Sequence, residues 1–147
     1  MMLLSRRSVL ALAAVVDIAI HARPQPVAAK LLAGRLGLPP RHLETLLQAL
    51  VRADILKGVR GPRGGYELAR ERRRISAAEV VRAVAVDEPE EEKTENVFIE
   101  TIIHPIVSRA GEAFLGDLEG VTIDDICREA GEKKVLHDEA AKPDFTI

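Results

Sequence analysis

Residues 40–70 read PRHLETLLQALVRADILKGVRGPRGGYELAR, and the order of signals within them decides the fold. Pro40 suits the first turn of a helix. Leu43, Leu46, Leu47 and Leu50 then recur at helical spacing on one face. Arg41, Thr45, Gln48 and Arg52 form the opposite stripe, flanked by His42 and Glu44. Ile55–Val59 and Tyr66–Ala69 are short strand candidates. Between them lies Arg60-Gly61-Pro62-Arg63-Gly64-Gly65, whose glycines permit the positive φ angles of a hairpin tip. The stretch therefore predicts a helix with a hydrogen-bonding outer face, followed at once by an arginine-tipped hairpin.

Upstream, a helix over about Ala28–Leu36 carries Leu31, Leu32 and Leu36 and stops at Gly37. Leu38-Pro39-Pro40 makes the turn into the next helix, so the pair has the form of a helix-turn-helix and the hairpin that of a wing. Arginines on such a narrow loop suit a minor groove or phosphates. Ser5-Arg6-Arg7-Ser8-Val9-Leu10 has the look of a twin-arginine export signal. However, Asp17 interrupts the apolar run, and Val9, Leu12, Ala13, Val16 and Ile20 fall on one helical face. The segment is expected to be the first helix of the domain, over about Ser8–Ala22.

Downstream, Arg70, Arg72, Arg73 and Arg74 read as a solvated basic loop with one or two phosphate contacts. Ser76-Ala77-Ala78-Glu79 is a capping box opening a helix to about Val86, with Val80, Val81 and Val84 inward. Asp87 to Glu95 is an acidic linker. An apolar segment follows, from Phe98 through Ile102, Ile103, Ile106 and Val107 to Leu118, with Pro105 expected to kink it or start a second helix. Ala110, Gly111 and Ala113 allow close approach of another helix, and the segment is expected to pack against its own copy. Thr122-Ile123-Asp124-Asp125 caps a last short helix to about Ala130. The expected organisation is a winged helix-turn-helix domain over 1–86, a linker over 87–96, dimerisation helices over 97–130 and a tail over 131–147. The fold class is mainly α with a small β-hairpin.

Charge supports this division. Residues 1–86 carry 15 Lys and Arg against 6 Asp and Glu, a net +9, and residues 87–147 carry 6 against 17, a net −11. A basic module that meets a polyanion, joined to an acidic segment, fits that asymmetry. With no Trp, one Tyr and three Phe among 147 residues, the core must be aliphatic, which favours helices. The single cysteine, Cys127, excludes an internal disulfide and any all-cysteine metal site. The longest uncharged apolar run, Val9–Val16, is far short of the ~20 residues a membrane span needs.

Leu43-Glu44, then Val59 through Arg70, then Ile75 with Glu79-Val80, resemble the IscR/NsrR/CymR family of bacterial winged-helix transcriptional regulators, the Rrf family. The resemblance covers about residues 3–130. It implies a cytoplasmic homodimer whose long helices cross and place two winged units on a palindromic operator in double-stranded DNA. It also implies that Arg41, His42, Glu44 and Thr45 face the major groove, with Gln48 continuing their stripe, and that Arg60 and Arg63 belong to the wing. Several members hold an iron–sulfur cluster through three cysteines in the loop before the long helix. Here that loop is Glu-rich and has no cysteine. His104 lies near the place of a histidine ligand in one subgroup, but a lone histidine does not hold a cluster without thiolates. No cofactor is expected, and cluster sensing is not carried over.

Cys127, beside Ile126 in an apolar-patterned helix, reads as a small buried hydrophobe, with a redox thiol or intersubunit disulfide as the alternative. Glu100 and His104 with the linker carboxylates make a weak metal pattern. No residue pattern selects a small-molecule or protein effector. No nucleophile-base set, nucleotide loop or metal motif supports an enzyme. The competing class is a protein-interaction adaptor that holds a metabolic enzyme, with DNA contact secondary. Salt dependence separates the two, because phosphate contacts release counterions.

Overall fold

The computed structural model describes residues 4–85 and 94–135. Linker residues 87–93 and tail residues 136–147 lie outside the described residues. The first helix, α1 (Arg6–His21), starts at Ser5, whose hydroxyl accepts from the Ser8 amide at 3.2 Å. Next come α2 (Ala29–Leu36) and α3 (Pro40–Arg52). Gly37 ends α2 in the left-handed conformation at φ 65°, and the Leu38 amide reaches back to the Ala33 carbonyl at 3.0 Å. α3 buries Leu43, Leu46, Leu47 and Leu50, the face expected of it.

Strands β1 (Leu56–Val59) and β2 (Gly65–Leu68) pair antiparallel, with Leu56 opposite Leu68 and Val59 opposite Gly65. Val27 adds a two-bond bridge to Tyr66 on the outer edge of β2, at 2.9 and 2.8 Å, covering an edge otherwise open to pairing. A 3₁₀ turn (Arg72–Arg74) leads to α4 (Ala77–Ala85), which opens with the expected box. Ser76 Oγ accepts from the Glu79 amide, and Glu79 accepts from the Ser76 amide. That backbone bond, with Arg70 assisting, holds the Glu79 carboxyl below its ordinary pKa.

Thr94 and Asn96 start the next helix: Asn96 Oδ1 accepts from the Ile99 amide, and Glu100 accepts from the Thr94 amide. Pro105 lies where a new helical segment begins. The chain widens into a π-helical turn over Ile99–Ile103, and Pro105 then falls in the first turn of α5 (His104–Glu119). The missing amide and the bulk of the ring are absorbed by that extra residue. Finally α6 (Ile123–Glu132) opens with a complete capping box between Thr122 and Asp125.

The core centres on α1. Ala11, Ala14, Val15 and Ile18 are fully buried among Leu32, Leu43, Leu47, Val80, Val84, Ile123 and Cys127. This is not the stripe expected from spacing. Val16 of that stripe is buried, but Leu12, Ala13 and Ile20 are half-buried and Val9 is 42% exposed. α1 is apolar around most of its circumference, and the smallest residues take the crowded side. Leu31, expected to pack, is 61% exposed.

Asp17, buried on α1, accepts two hydrogen bonds from Arg35 on α2, at 2.9 Å from Nε and 2.8 Å from Nη2. The carboxylate hydrogen bond keeps the Arg35 guanidinium above its ordinary pKa. The fork tethers α2 to α1 and satisfies a carboxylate that water reaches poorly. Asp124 does the same at the other end, taking Arg72 Nε at 2.6 Å and Arg128 Nε at 2.9 Å. Arg72 is therefore structural, where a solvated loop was expected. Arg35→Ala should cost about 1.5–3 kcal/mol by urea denaturation, because it leaves the buried Asp17 carboxylate with only His21 Nδ1, at 3.3 Å, beside it. Arg74→Ala, which loses only an exposed 3.8 Å pair with Glu71, should stay within about 0.5 kcal/mol.

Candidate nucleic-acid interface

Sealing one face of α3 into the core leaves the opposite face exposed. Arg41, His42, Glu44, Thr45, Gln48 and Arg52 are all exposed, and each carries a hydrogen-bonding group. Pro39 and Pro40 open α3, so no side chain caps its first amides and no carboxylate lies in its first turn. The positive end of the helix is thus left without an anionic neighbour in the first turn. Arg41, His42 and Thr45 share the wall of an open cavity of about 690 Å³, closed on its other side by the start of α1. Glu44 and Gln48 lie further along the same exposed face.

Arg60 and Arg63 sit on a separate element, the exposed loop between β1 and β2. The loop is folded by its glycines. Gly61 has φ 117°, and its carbonyl accepts from the Gly64 amide at 2.9 Å. A Cβ on Gly65 would run into the Val27 carbonyl, so glycine is what lets residue 27 pair with the wing. Lys57 and Glu67 face each other across the strands with a 3.1 Å ion pair. At the wing's root, Arg70 donates to the Asp54 and Arg74 carbonyls and to Glu79, which holds the hairpin against α4.

Two residues at this surface, Arg6 and Arg7, escaped the sequence reading. Both lie in the first turn of α1 and line the same cavity as Arg41 and His42. Their only sequence signal, a twin arginine, pointed to a different explanation. Conversely, Glu100 was a candidate metal ligand, and its carboxylate instead holds the Thr94 amide. Cys127 is fully buried in the core, as expected of a small hydrophobe.

The architecture defines a winged helix-turn-helix protein with a long helix appended. The chain belongs to the Rrf2 family: the family model described as Rrf2, iron-dependent transcriptional regulator, matches residues 4–129. Members are transcriptional regulators and not enzymes. Protein rrf2 of Nitratidesulfovibrio vulgaris is 32% identical over 119 residues, covering 78% of this chain and 79% of that protein. A regulator named ORF2 from Azotobacter vinelandii is 40% identical over 74 residues, covering 50% of this chain and 45% of its own length. Among solved structures, IscR of T. potens superposes with TM-score 0.72 at 27% identity, covering 96% of this chain and 97% of that one. CymR of B. subtilis gives 0.64 at 24%, covering 88% and 98%. In the alignments to ORF2 and to IscR of Xenorhabdus nematophila, the chain spans about half the length of the relative. No helix among the described residues is long and apolar enough to cross a membrane.

The family description names iron, and the donor set here does not fit an iron–sulfur cluster. Cluster iron is held by several thiolates. This chain has one thiol, and it lies on the buried face of α6.

The wing's geometry gives a direct test. Gly65→Ala should cost about 1–3 kcal/mol and break the Val27–Tyr66 bridge. Hydrogen exchange should show the Val27 and Tyr66 amides losing protection ahead of the helix amides.

Proposed function

We propose that this chain is a sequence-specific DNA-binding regulator that acts as a homodimer on a palindromic operator and works without an iron–sulfur cluster. The observation that carries the reading is the outer face of α3, polar along its length and free of carboxylates in its first turn, beside an arginine-tipped wing. In a helix-turn-helix the N-terminal residues of the second helix reach base edges. On this reading Arg41 donates in two parallel bonds to guanine O6 and N7, and Glu44 accepts from cytosine N4 or rejects wrong bases electrostatically. His42, Thr45 and Gln48 share the face, and Arg60 and Arg63 meet phosphates or the minor groove.

Dimerisation is supported by the long helix. Val97, Phe98, Ile102, Ile106 and Val107 are exposed in the single chain, Phe98 by 62% and Val97 by 75%. So continuous an apolar surface marks a contact with another protein. Ala110 and Ala113, also exposed, keep the same helix slim. Two copies crossing here would present two α3 helices, and a two-fold protein reads a palindrome.

In binding assays, Arg41→Ala should cost about 1–3 kcal/mol on the best operator and relax preference at one base pair per half-site. Arg63→Ala should weaken good and poor sites evenly and flatten the salt slope by about one contact. A selection of bound fragments with both variants checks this, and an unchanged sequence preference for Arg41→Ala would refute the assignment. Failure of the wild-type chain to bind any duplex would favour the adaptor reading. Ile106→Glu should weaken self-association more than about tenfold by sedimentation equilibrium, since a buried unpaired carboxylate costs several kcal/mol.

A further inference from the structure

The cavity beside α3 is walled by two elements far apart in sequence. Arg6 and Arg7 come from α1, and Arg41, His42 and Thr45 come from α3, over an apolar floor that includes Leu10 and Leu46. No Asp or Glu lines it. Arg6, Arg41 and His42 make no side-chain hydrogen bond or ion pair with any described residue. Arg7 behaves differently, with its Nε donating to the Val84 carbonyl at 3.4 Å. Several other arginines of this half are held internally: Arg35 by Asp17, Arg70 by Glu79 and Arg72 by Asp124. Convergence of cations on a concave surface without a carboxylate raises the local positive potential, and a bound anion lowers the energy of that arrangement.

We propose that Arg6 is a phosphate clamp. It holds a backbone phosphate of the duplex on the strand bordering the groove that α3 enters, and this cavity receives that phosphate. The inference rests on the DNA-binding reading above and adds a contact from α1 to those of α3 and the wing. The geometry favours a phosphate over a base edge, because Arg6 lies to the side of α3, across the cavity from Arg41. The side chain is exposed and in a first helical turn, so replacing it leaves the core intact. Arg6 thereby sets register on the duplex without carrying sequence information.

The test compares wild type, Arg6→Ala and Arg6→Lys on the selected operator and on scrambled duplex across a salt series, with thermal melts confirming equal folding. Arg6→Ala should lower affinity for both duplexes by a similar factor, roughly three- to tenfold, and flatten the slope of log K against log salt by about 0.9. Arg6→Lys should restore the slope, since a point charge suffices for phosphate. Wild-type binding with Arg6→Ala unchanged in affinity and slope would overturn this inference alone, whereas no duplex binding by wild type would overturn both readings. A changed ratio of operator to scrambled affinity would also overturn it, by making Arg6 a base reader. Inorganic phosphate is titrated against the free protein in parallel. Tight saturable binding that Arg6→Ala abolishes would assign the cavity to a free anion and refute the duplex clamp.

Discussion

Everything in this structure depends on how closely other elements can approach α1. With almost no aromatic residues to fill space, the core closes only if helix axes lie near each other, and Ala11 and Ala14 make that possible on one side of α1. Leu43 and Leu47 of α3, Val80 and Val84 of α4, and Ile123 of α6 join the same cluster. Because α3 and α6 are seated on the same helix, the surface that faces a partner and the element that follows the long helix share one rigid base. The Ile75–Ile123 and Ala77–Val121 backbone bonds bind that base further, at 2.9 and 2.8 Å. A core packed this closely tolerates little added volume.

On that base, the charges divide by what neutralises them. Arg35, Arg70, Arg72 and Arg82 face carboxylates of the chain and serve as ties between elements: α2 to α1, the wing's root to α4, the 3₁₀ turn to α6, and α4 to α5. Arg6, Arg41 and His42 face none among the described residues. The distinction matters more than the net +9 of the first 86 residues, because an internally paired arginine adds little to the field felt by a polyanion.

The sequence was most legible where one short stretch carries its own physics. Gly37, the Ser76–Glu79 and Thr122–Asp125 boxes, and the glycines of the wing each satisfy local backbone groups, so their meaning is complete within a few residues. The outer face of α3 was legible for a similar reason, since one leucine stripe defines its opposite. Illegible features depend on partners distant in the chain. Asp17 meets Arg35 across 18 residues and Arg72 meets Asp124 across 52, and neither spacing has a signature. The buried side of α1 was misjudged because both of its sides are apolar, and periodicity cannot rank two apolar faces. Arg6 joined the interface only once α1 and α3 were placed together. The π-helical turn before Pro105 was missed because proline announces that a regular helix cannot continue, while the remedy depends on the whole long helix staying in one piece.

The same placement bears on how a regulator of this kind would receive a signal. Sensing through a thiol requires that thiol to be reachable, and Cys127 sits with no exposure among aliphatic side chains. Sensing through a cluster requires several thiolates, which one cysteine per chain does not provide. What the architecture offers in their place is mechanical continuity. α5 leads through Gly120 into α6, α6 holds the 3₁₀ turn through Asp124, and that turn follows the wing by a few residues. A shift in the angle of α5 would reach the wing through the Arg72–Asp124 bond rather than through solvent. That bond is short and largely shielded, and it ties the 3₁₀ turn to α6.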